Sequence, residues 1–493
     1  MPLSPLDTLR HWLTADNPRL ALAGVLFVLL LAGLLTGAVF GALGPLLAVG
    51  VVGVAVVGML MLRSTQVGLF ALVALICLLP YGALPFKIGF RPNFLDVALA
   101  GLFTVWGLRL ITGRQRVLVV SSLGGLILAF LGWSFFIFIY GLRYGGLNVT
   151  VVRNFAEIIL AVSLFFLVIN QVTTLAQVNQ ISRVIILTGG LAAVLGIVFY
   201  FMPAEWTVRI LSQLRVFQYP TDNILRYIED DPTQPMRAIS TSIDPNALGG
   251  LLIFLNLITA AHLFAARPIL PRFILALCAG LMALTLYLTF SRGSLAGVAL
   301  GLGLMAVLRY RKLVWVILAA AVLMLVLPQT QVYVQHLIEG VHGEDLSTQM
   351  RLGEYKDAFN LISRYPLTGV GFFGTPDIDL YVGVSSVYLL LAQQMGLIGA
   401  ALYGVIGLAY LVLMALTLLR LPKGHALETP VLAYGVAILG AMIGGLFDHF
   451  YFNLTFIHIV ALYWLTMGLG VTAALLAKQE APQKGGSLTA PVR

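Results

Sequence analysis

Long, continuous apolar runs separated by short polar segments dominate the chain from about residue 20 to residue 477. A helix that crosses a bilayer needs ~20 mostly apolar residues, and the runs divide into about fourteen such lengths. Because the hydrocarbon core holds no water for backbone groups, each crossing must be a helix or a strand of a closed barrel. The runs are continuous rather than alternating, which indicates helices. The predicted fold class is therefore all-α, a polytopic membrane helical bundle of about 12 to 14 transmembrane helices.

Two long polar segments interrupt this pattern, and we predict that both are large extracytoplasmic loops. The first follows an N-terminal block of spans, and the second separates a middle block from a C-terminal block. A short polar tail after the last run is predicted to be a disordered cytoplasmic end. The predicted organisation is N-terminal spans at 1–202, a loop at 203–245, spans at 246–328, a loop with an amphipathic helix at 329–384, spans at 385–477 and the tail at 478–493.

Composition supports the membrane class, and charge gives the orientation. The 493 residues are 60% hydrophobic and 10% charged, which excludes a soluble globule because soluble domains carry about 25% charged residues. The net charge of +9 comes mostly from basic clusters in alternate loops, so the positive-inside rule places those loops and both termini in the cytoplasm. We therefore predict no nucleic-acid partner. Cys77 and Cys278 lie inside apolar runs and indicate neither a disulfide nor a metal cluster.

Arginines at the predicted outer face are the first candidate chemistry, because the positive-inside rule does not explain them. Arg292 lies in the Ser-Arg-Gly sequence at 291–293, a predicted tight turn between two apolar runs. Arg237 lies shortly before Asp244 and Pro245, where the next run begins. An arginine in such a place either extends to lipid head groups or binds an anionic ligand. Asp244 by itself is explained as an N-cap with a proline at the first helical position.

The second long loop carries two further motifs. Residues 350–359 have the pattern of an amphipathic helix on which Arg351 and Tyr355 share one face; a solvated, salt-bridged helix is the alternative. Residues 365–374 include three glycines that permit close approach of the backbone to a ligand or a neighbouring helix. Planar guanidinium groups bind phosphate oxygens bidentately and keep their charge. Arginines that converge on one outer cavity therefore predict a lipid substrate with a diphosphate head group.

Taken in order, these motifs resemble those of the superfamily of O-antigen ligases and O-antigen polymerases. Its members are polytopic enzymes that transfer a glycan from a polyprenyl diphosphate to an acceptor. The likeness covers about residues 240–400, and in the N-terminal half it is confined to hydropathy and to Asp96 at the start of a span. The motifs that carry it are Arg237 with 244–246, the 291–293 turn, Arg351 with 365–371, and the segment 388–399.

The resemblance implies a metal-independent, inverting glycosyl transfer without a cofactor, on the extracytoplasmic face of the bacterial cytoplasmic (inner) membrane. The implied partners are a polyprenyl-diphosphate-linked glycan donor, a glycan or lipid-linked acceptor, the lipid bilayer and other polysaccharide-assembly proteins. Arg237 and Arg292 are the implied clamp for the diphosphate, and we assign both as catalytic. The substrate-binding set is completed by Arg351, Tyr355, Ser385 and Tyr388.

One position departs from the family pattern. Family members have a histidine, the proposed general base, three residues before the Tyr-Leu pair at 388–389, and this chain has Ser385 there. Serine is a poor base without a partner. The other candidate bases on the same loop are His336, His342, Glu354 and Asp379. We assign the two histidines as catalytic. A loose transition state that needs little base, and a diverged member with another acceptor or none, stay open.

Two other functions compete with the glycosyltransferase. A lipid or polysaccharide transporter or flippase typically has inverted repeats, broken helices and ionisable groups near the midplane. In this chain such charges lie near the ends of spans, at Asp96 and Glu157, and Arg153 is the predicted partner of Glu157 one turn away. A catalytically diverged, lipid-binding homologue is the other alternative. No two histidines have metal-ligand spacing on a shared helix face, so no metal site is predicted.

Overall fold

The fold is helical, as the apolar runs predict. The computed structural model describes residues 18–85, 87, 89–115, 117–220, 224–327, 330–343, 345–375 and 383–480. Of the residues that the structure describes, 76% are helical. In the described ranges, strand pairing is confined to an antiparallel pair of two-residue strands, β1 (Arg226–Tyr227) and β2 (Met236–Arg237), and an isolated bridge between Ala83 and Asn93. The all-α prediction is therefore confirmed.

The chain divides into two compact units, Met1–Arg63 and Ser64–Arg493. The first unit contains helices α1 (Pro18–Leu43) and α2 (Pro45–Arg63). Proline is tolerated at the first position of a helix because the N–H that it lacks has no intrahelical partner there. Gly44 has a φ of 76°, which favours glycine, and it reverses the chain between the two helices.

The second unit carries every other helix that the structure describes. In chain order these are α3 (Thr65–Leu78), α4 (Phe94–Ile111), α5 (Gly124–Gly141), α6 (Val149–Gln171), α7 (Leu175–Phe201), α8 (Ala204–Gln213), α9 (Pro245–Leu263), α10 (Arg272–Leu288), α11 (Arg292–Leu308), α12 (Leu313–Val326), α13 (Gln331–His342), α14 (Leu346–Arg364), α15 (Val387–Arg420), α16 (Glu428–Phe447) and α17 (Ile457–Glu480).

The predicted number of spans is not confirmed. Within the described residues, eight helices are long and apolar enough to cross a membrane, or up to nine if the bent pair α12–α13 is one span. The multi-pass membrane class is supported, but the count of about fourteen is not confirmed. Helices α3, α10 and α11 are apolar but only 14, 17 and 17 residues long, which is below the length of about 20 residues that crosses a bilayer. The predicted tail at 478–493 begins too early, since α17 continues to Glu480, and the rest of it lies outside the described residues.

Helices α9 and α17 form the centre of the second unit, and both are buried along most of their length. Small residues let neighbouring helices approach closely, as is common where lipid supplies no hydrophobic drive between helices. A side-chain carbon on Gly297 of α11 would lie 2.5 Å from the carbonyl oxygen of Gly440 on α16. The outer helices keep apolar side chains on their exposed faces, for example Leu408 and Val412 on α15. This distribution is the one expected of a bundle surrounded by lipid.

The glycine-rich segment 365–371 packs against a break in α15. Gly396 interrupts that helix with φ 69° and ψ 179°, a conformation that is essentially restricted to glycine. The predicted close approach of this segment to a neighbouring helix is confirmed, because main-chain hydrogen bonds join the two directly. These bonds run from Val370 N to Gln393 O, from Gly371 N to Gln394 O and from Leu397 N to Pro366 O, at 2.9, 2.9 and 2.8 Å.

Gly396→Ala is expected to destabilise the protein by about 3 kcal/mol or more, because backbone strain and overpacking act together. A Cβ at this position would lie 2.1 Å from the carbonyl oxygen of Leu367. Thermal unfolding of the purified protein in detergent measures the effect. Gly404→Ala on the same helix is the matched control, since no atom lies within 4 Å of its added carbon. Equal unfolding temperatures for the two variants would show that the docking contact is unimportant.

Candidate active site

Arg237 is fixed by the ends of two helices. Its Nε donates to the carbonyl oxygen of Thr289 at 2.8 Å, and its Nη2 donates to Oδ1 of Asn246 at 2.5 Å. Asn246 belongs to the first turn of α9, where the side chain of Asp244 accepts a hydrogen bond from Ala247 N at 2.7 Å. The predicted cap of α9 is thereby confirmed. The cap also orients the amide that holds Arg237, so the segment after Arg237 positions the guanidinium.

Three residues near this point adopt a left-handed backbone that disfavours side chains. Ser240, Ile243 and Phe290 have φ values of 49°, 57° and 53°. Such values are uncommon outside glycine and are an outlier for a β-branched residue such as Ile243. Strain of this kind persists only where the surrounding structure enforces it, and it concentrates at functional sites. Here it shapes the entry into α9 and the turn that leads into α11.

Arg292 is the first residue of α11, and a carboxylate holds it. Its Nη2 donates to Oδ2 of Asp345 at 2.6 Å and to Oγ1 of Thr348 at 3.2 Å. Burial raises the pKa of Asp345, but hydrogen bonds from Arg292 and Thr348 outweigh it and bring the pKa down to about 2. Asp345 therefore stays ionised at neutral pH. The same carboxylate caps α14 by accepting from Thr348 N at 3.2 Å.

Helix α13 packs beside this turn and leaves room for the guanidinium. Tyr333 is fully buried between the rings of Tyr287 and Phe290, with centroid distances of 5.0 and 5.2 Å. Gly340, two turns later on the same helix, faces Arg292. A side-chain carbon on Gly340 would lie 1.6 Å from Nη1 of Arg292. The absence of a side chain at Gly340 is thus what admits the arginine.

Arg237, Arg292 and Arg351 line one cleft, as the sequence analysis predicts for the arginines. The cleft encloses about 390 Å³ of space, part of it open to solvent. Asn246, Arg292 and Ser347 lie in the first turns of α9, α11 and α14, so three helix N-termini border it.

A helix N-terminus carries a partial positive charge, which favours anions. Asp244 and Asp345 cap two of these helices, and Glu229 lines the cleft and accepts a hydrogen bond from Leu346 N. The three guanidinium groups are therefore the main feature that makes this cleft suited to a multiply charged anion.

The arginines differ in how much of their hydrogen-bonding capacity the protein uses. Burial lowers the pKa of Arg237 to about 10, and Asp244 and Asp448 oppose that effect, so Arg237 remains a cation at neutral pH. Arg351 faces Arg237 and makes no hydrogen bond to any described residue. Arg237 and Arg292 are held by neighbours, whereas the guanidinium of Arg351 is available to a ligand.

The predicted substrate-binding residues at the start of α15 lie against α14. Oε2 of Glu354 accepts a hydrogen bond from Ser385 N at 2.9 Å, and the hydroxyl of Tyr355 donates to Ser385 O at 3.3 Å. Glu354 follows Arg351 by three residues, so the two share a helix face. The hydroxyl of Tyr388 donates instead to the carbonyl oxygen of Met442 on α16, at 2.9 Å. Ser385 is therefore held against the arginine-bearing helix by Glu354 and Tyr355, while the Tyr388 hydroxyl binds α16.

Asp448 is a member of this cluster that the sequence analysis did not select. It follows the last residue of α16, and its carbonyl oxygen accepts a hydrogen bond from Val387 N at 3.0 Å. Burial raises the pKa of its carboxyl group to about 7, and Asp244 adds to this, while Arg351 and Arg237 act in the opposite direction. A polar pair at the end of an apolar run, Asp448 and His449, is the one sequence signal that marks the position.

Of the two histidines that the sequence analysis assigns as catalytic, the structure describes the side chain of His342 alone, and this residue does not line the arginine cleft. His342 is exposed at the end of α13, and its Nδ1 lies 2.9 Å from the carbonyl oxygen of Ile338 in the same helix. The side chain of His336 and the whole of Asp379 lie outside the described residues. His449 faces Asp244, Glu354 and Arg351, and burial lowers its pKa, which keeps it neutral. Among the described residues, no group of His, Cys, Asp and Glu could hold a metal ion.

A comparison with known protein families finds a match in this chain. Residues 277–404 match the family model described as O-Antigen ligase. The match supports membership in the O-antigen ligase and polymerase family. It includes Arg292, Arg351, Glu354 and Ser385, whereas Arg237 and Asp448 lie outside it. A search of curated proteins found no significant match. The resemblance inferred from the motifs is therefore confirmed, and an O-antigen ligase-type membrane function is indicated.

Proposed function

We propose that the protein is a membrane glycosyltransferase that transfers or polymerises a polyprenyl-diphosphate-linked oligosaccharide, as O-antigen ligases and polymerases do. The single observation that carries the proposal is the cleft in which Arg237, Arg292 and Arg351 meet three helix N-termini. A diphosphate is a compact, multiply charged anion, and arginines bind its oxygens in pairs. A polyprenyl tail would lie in the bilayer that the apolar helices require.

Glycosyl transfer from a diphosphate donor needs positive charge beside the leaving diphosphate, and the arginines of this cleft supply it. In the transfer, the oxygen of an acceptor hydroxyl bonds to C1 of the donor sugar while the bond from C1 to the diphosphate oxygen breaks. The leaving diphosphate gains negative charge as that bond lengthens. Fixed cations at Arg237 and Arg292 then stabilise the transition state more than the ground state. In this proposal the arginines supply the charge stabilisation, and the reaction needs neither metal nor cofactor.

The acceptor hydroxyl must also lose a proton, and Asp448 is the group we assign to receive it. Asp345 is paired with Arg292, and Asp244 caps α9, so both carboxylates are committed elsewhere. The carbonyl oxygen of Asp448 binds Val387 N at the start of α15, two residues after the serine that stands in place of the family histidine, and Asp448 faces Arg351 and Arg237. A general base works best when its pKa is near the working pH. Glu354, which holds Ser385 N, is the alternative base.

The proposal includes an orientation. The basic clusters of alternate loops are assigned to the cytoplasm together with both termini, which leaves the cleft on the extracytoplasmic face of the bacterial cytoplasmic membrane. The full count of about fourteen spans and the two outer loops belong to the same proposal. The other implied partners are a glycan or lipid-linked acceptor and further proteins of polysaccharide assembly.

Purified protein in lipid, supplied with a polyprenyl-diphosphate glycan and a lipid-linked or glycan acceptor, tests the proposal directly. Longer glycans on the lipid carrier indicate a polymerase, and glycan on a different acceptor indicates a ligase. If the donor is bound but never consumed with either acceptor, the protein is a diverged lipid-binding homologue. Ser385, which stands where family members have the proposed general base, is the reason to test for this outcome.

One observation favours a transporter or flippase as the second candidate. Arg153 lies 3.2 Å from Asp96 and 2.5 Å from Glu157, which confirms the predicted Arg153–Glu157 pair. These three charges border an apolar pocket between α4 and α6 of about 840 Å³, part of it open to the surroundings, and ionisable residues in transmembrane segments commonly mark transport pathways. Movement of the lipid-linked glycan across vesicles without cleavage of the diphosphate bond would establish this function in place of transfer.

Gly340→Ala is expected to lower the transfer rate about tenfold or more while the protein stays folded, because a misplaced catalytic group is costly. The added methyl group occupies the space of the Arg292 guanidinium, a flexible group that can move away. Initial rates and unfolding temperatures of the purified variant measure both effects. Gly353→Ala on α14, with no atom within 4 Å of the new carbon, is the control. Full activity of Gly340→Ala would contradict the observed position of Arg292.

A further inference from the structure

A second cleft lies at the far end of α15 from the arginine cleft. It encloses about 1180 Å³, part of it open to solvent, between the end of α15, the end of α17 and the segment before α5. Val387 at the start of α15 contacts Asp448, whereas Arg420 at the other end lines this second cleft. The two clefts are therefore separated by the length of a helix that spans the bundle.

Two cations border the second cleft without partners among the described residues. Arg420 and Lys478 are exposed and make no hydrogen bond or ion pair with any described residue. One carboxylate also borders the cleft, Glu480, and its Oε2 lies 3.4 Å from Nε2 of His425. With two cations against one carboxylate, the cleft carries a net positive charge, which favours an anionic ligand.

A buried hydroxyl points to the same kind of ligand. Ser121 is only 8% exposed, and its Oγ has no hydrogen-bonding partner among the described residues. Burying a hydroxyl without a partner is unfavourable, so such a group is expected to bind something in the functional state. The nearby hydroxyl of Thr417 already donates to Leu413 O of its own helix at 2.7 Å. Ser121 is thus a donor for which the described protein supplies no acceptor.

The remaining wall of the cleft is apolar. Leu413, Val471, Ala474 and Leu475 line it on the sides of α15 and α17 that lead into the bundle. The cleft thus combines a cationic rim with an apolar interior. A free phosphate ion would satisfy the rim but leave the apolar wall uncovered, whereas an acyl chain would cover it and gain about 25 cal/mol per Å² of buried apolar surface.

We propose that this cleft binds the head group of an anionic phospholipid, with its phosphate between Arg420 and Lys478 and one acyl chain along the apolar wall. Ser121 donates a hydrogen bond to a head-group oxygen. Basic clefts between transmembrane helices are suited to such lipids, because juxtamembrane cations are attracted to anionic head groups. The proposal is independent of the glycosyl-transfer reaction, since it concerns the opposite end of α15.

The test uses the full-length protein in lipid nanodiscs that contain phosphatidylcholine and a graded fraction of phosphatidylglycerol. Lipid that stays bound to the released protein is counted by native mass spectrometry. At about 1 kcal/mol per cation, Arg420→Gln and Lys478→Gln should each weaken phosphatidylglycerol binding about fivefold, and the pair about thirtyfold. Ser121→Ala, which removes no charge, is expected to weaken it by a smaller factor.

The matched control is the pair Arg311→Gln and Lys312→Gln, which removes the same charge from exposed positions between α11 and α12. These residues do not line the cleft. If the control pair weakens binding as much as the Arg420/Lys478 pair, the attraction is a general surface effect and the site is refuted. Equal retention of phosphatidylcholine and phosphatidylglycerol by the native protein refutes it as well. Displacement of the lipid by millimolar inorganic phosphate would reduce the site to a phosphate site.

Discussion

Arg292→Ala and Arg237→Ala are each expected to reduce the rate of glycan transfer about 10²- to 10³-fold, the cost of removing one donor from a preorganised anion site. Both guanidinium groups line the same cleft and are fixed by neighbours, Arg292 by Asp345 and Arg237 by Asn246. Because the charge on the diphosphate grows during bond cleavage, the loss should fall mainly on kcat rather than on KM. Initial rates with a polyprenyl-diphosphate donor measure it.

The matched control for these variants is Arg209→Ala. Arg209 belongs to α8, in the first of the predicted outer loops, and its guanidinium lies 5.4 Å from the ring of Trp206. The substitution Arg209→Ala removes the same charge at a position outside the cleft and should leave the transfer rate unchanged. Arg292→Lys adds a finer comparison, since a lysine keeps the charge but loses the bidentate geometry. If both alanine variants transfer glycan at the native rate, the diphosphate clamp does not exist.

Asp448→Asn is expected to lower the transfer rate about 10²- to 10⁴-fold, because asparagine cannot accept a proton from the acceptor hydroxyl. In the native protein, the active form of Asp448 is the carboxylate. Its pKa is about 7, so kcat/KM should rise with pH through that value and then level off. The groups that face Asp448 are Arg351, Arg237, Asp244, Tyr355 and Tyr451, together with its own neighbour His449.

A control variant and a donor-binding measurement accompany this experiment. Asp357→Asn on α14 removes an equivalent charge and should leave both the rate and the pH profile unchanged. Donor binding by Asp448→Asn should persist, which separates a lost base from a lost fold or a lost donor site. If Asp448→Asn keeps the native rate while Glu354→Gln abolishes transfer, the base is Glu354. If neither carboxylate matters, the transition state needs little base, as the sequence analysis left open.

Local features of the fold could be predicted because they depend on neighbouring residues. The apolar runs gave the helices, the Asp244–Pro245 pair marked the start of α9, and the four-residue spacing of Arg153 and Glu157 indicated their ion pair. The convergence of Arg237 with Arg292 was also predicted, although from the chemistry of the proposed ligand rather than from any local pattern. Each of these inferences needed only residue types, short spacings along the chain, or the requirement that the arginines bind one proposed ligand.

Other features depend on contacts between distant parts of the chain and could not be predicted. Asp448 reaches the site through a main-chain bond to Val387, and no spacing in the sequence signals that contact. Asp345, the partner of Arg292, was likewise missed, because an aspartate before a helix is fully explained as a cap. The predicted number of spans is not confirmed, since α3, α10 and α11 are shorter than a typical span and hydropathy alone does not give the length of each helix.

The joint between the 365–371 segment and the break in α15 has a consequence for how the proposed site could change during evolution. Its hydrogen bonds join main-chain atoms only, so apart from the glycines they do not depend on side-chain identity. Helix α14, which carries Arg351 and Glu354, leads directly into this joint. Under the proposed function, substitutions at residues that contact the acceptor are therefore expected to leave the position of Arg351 unchanged.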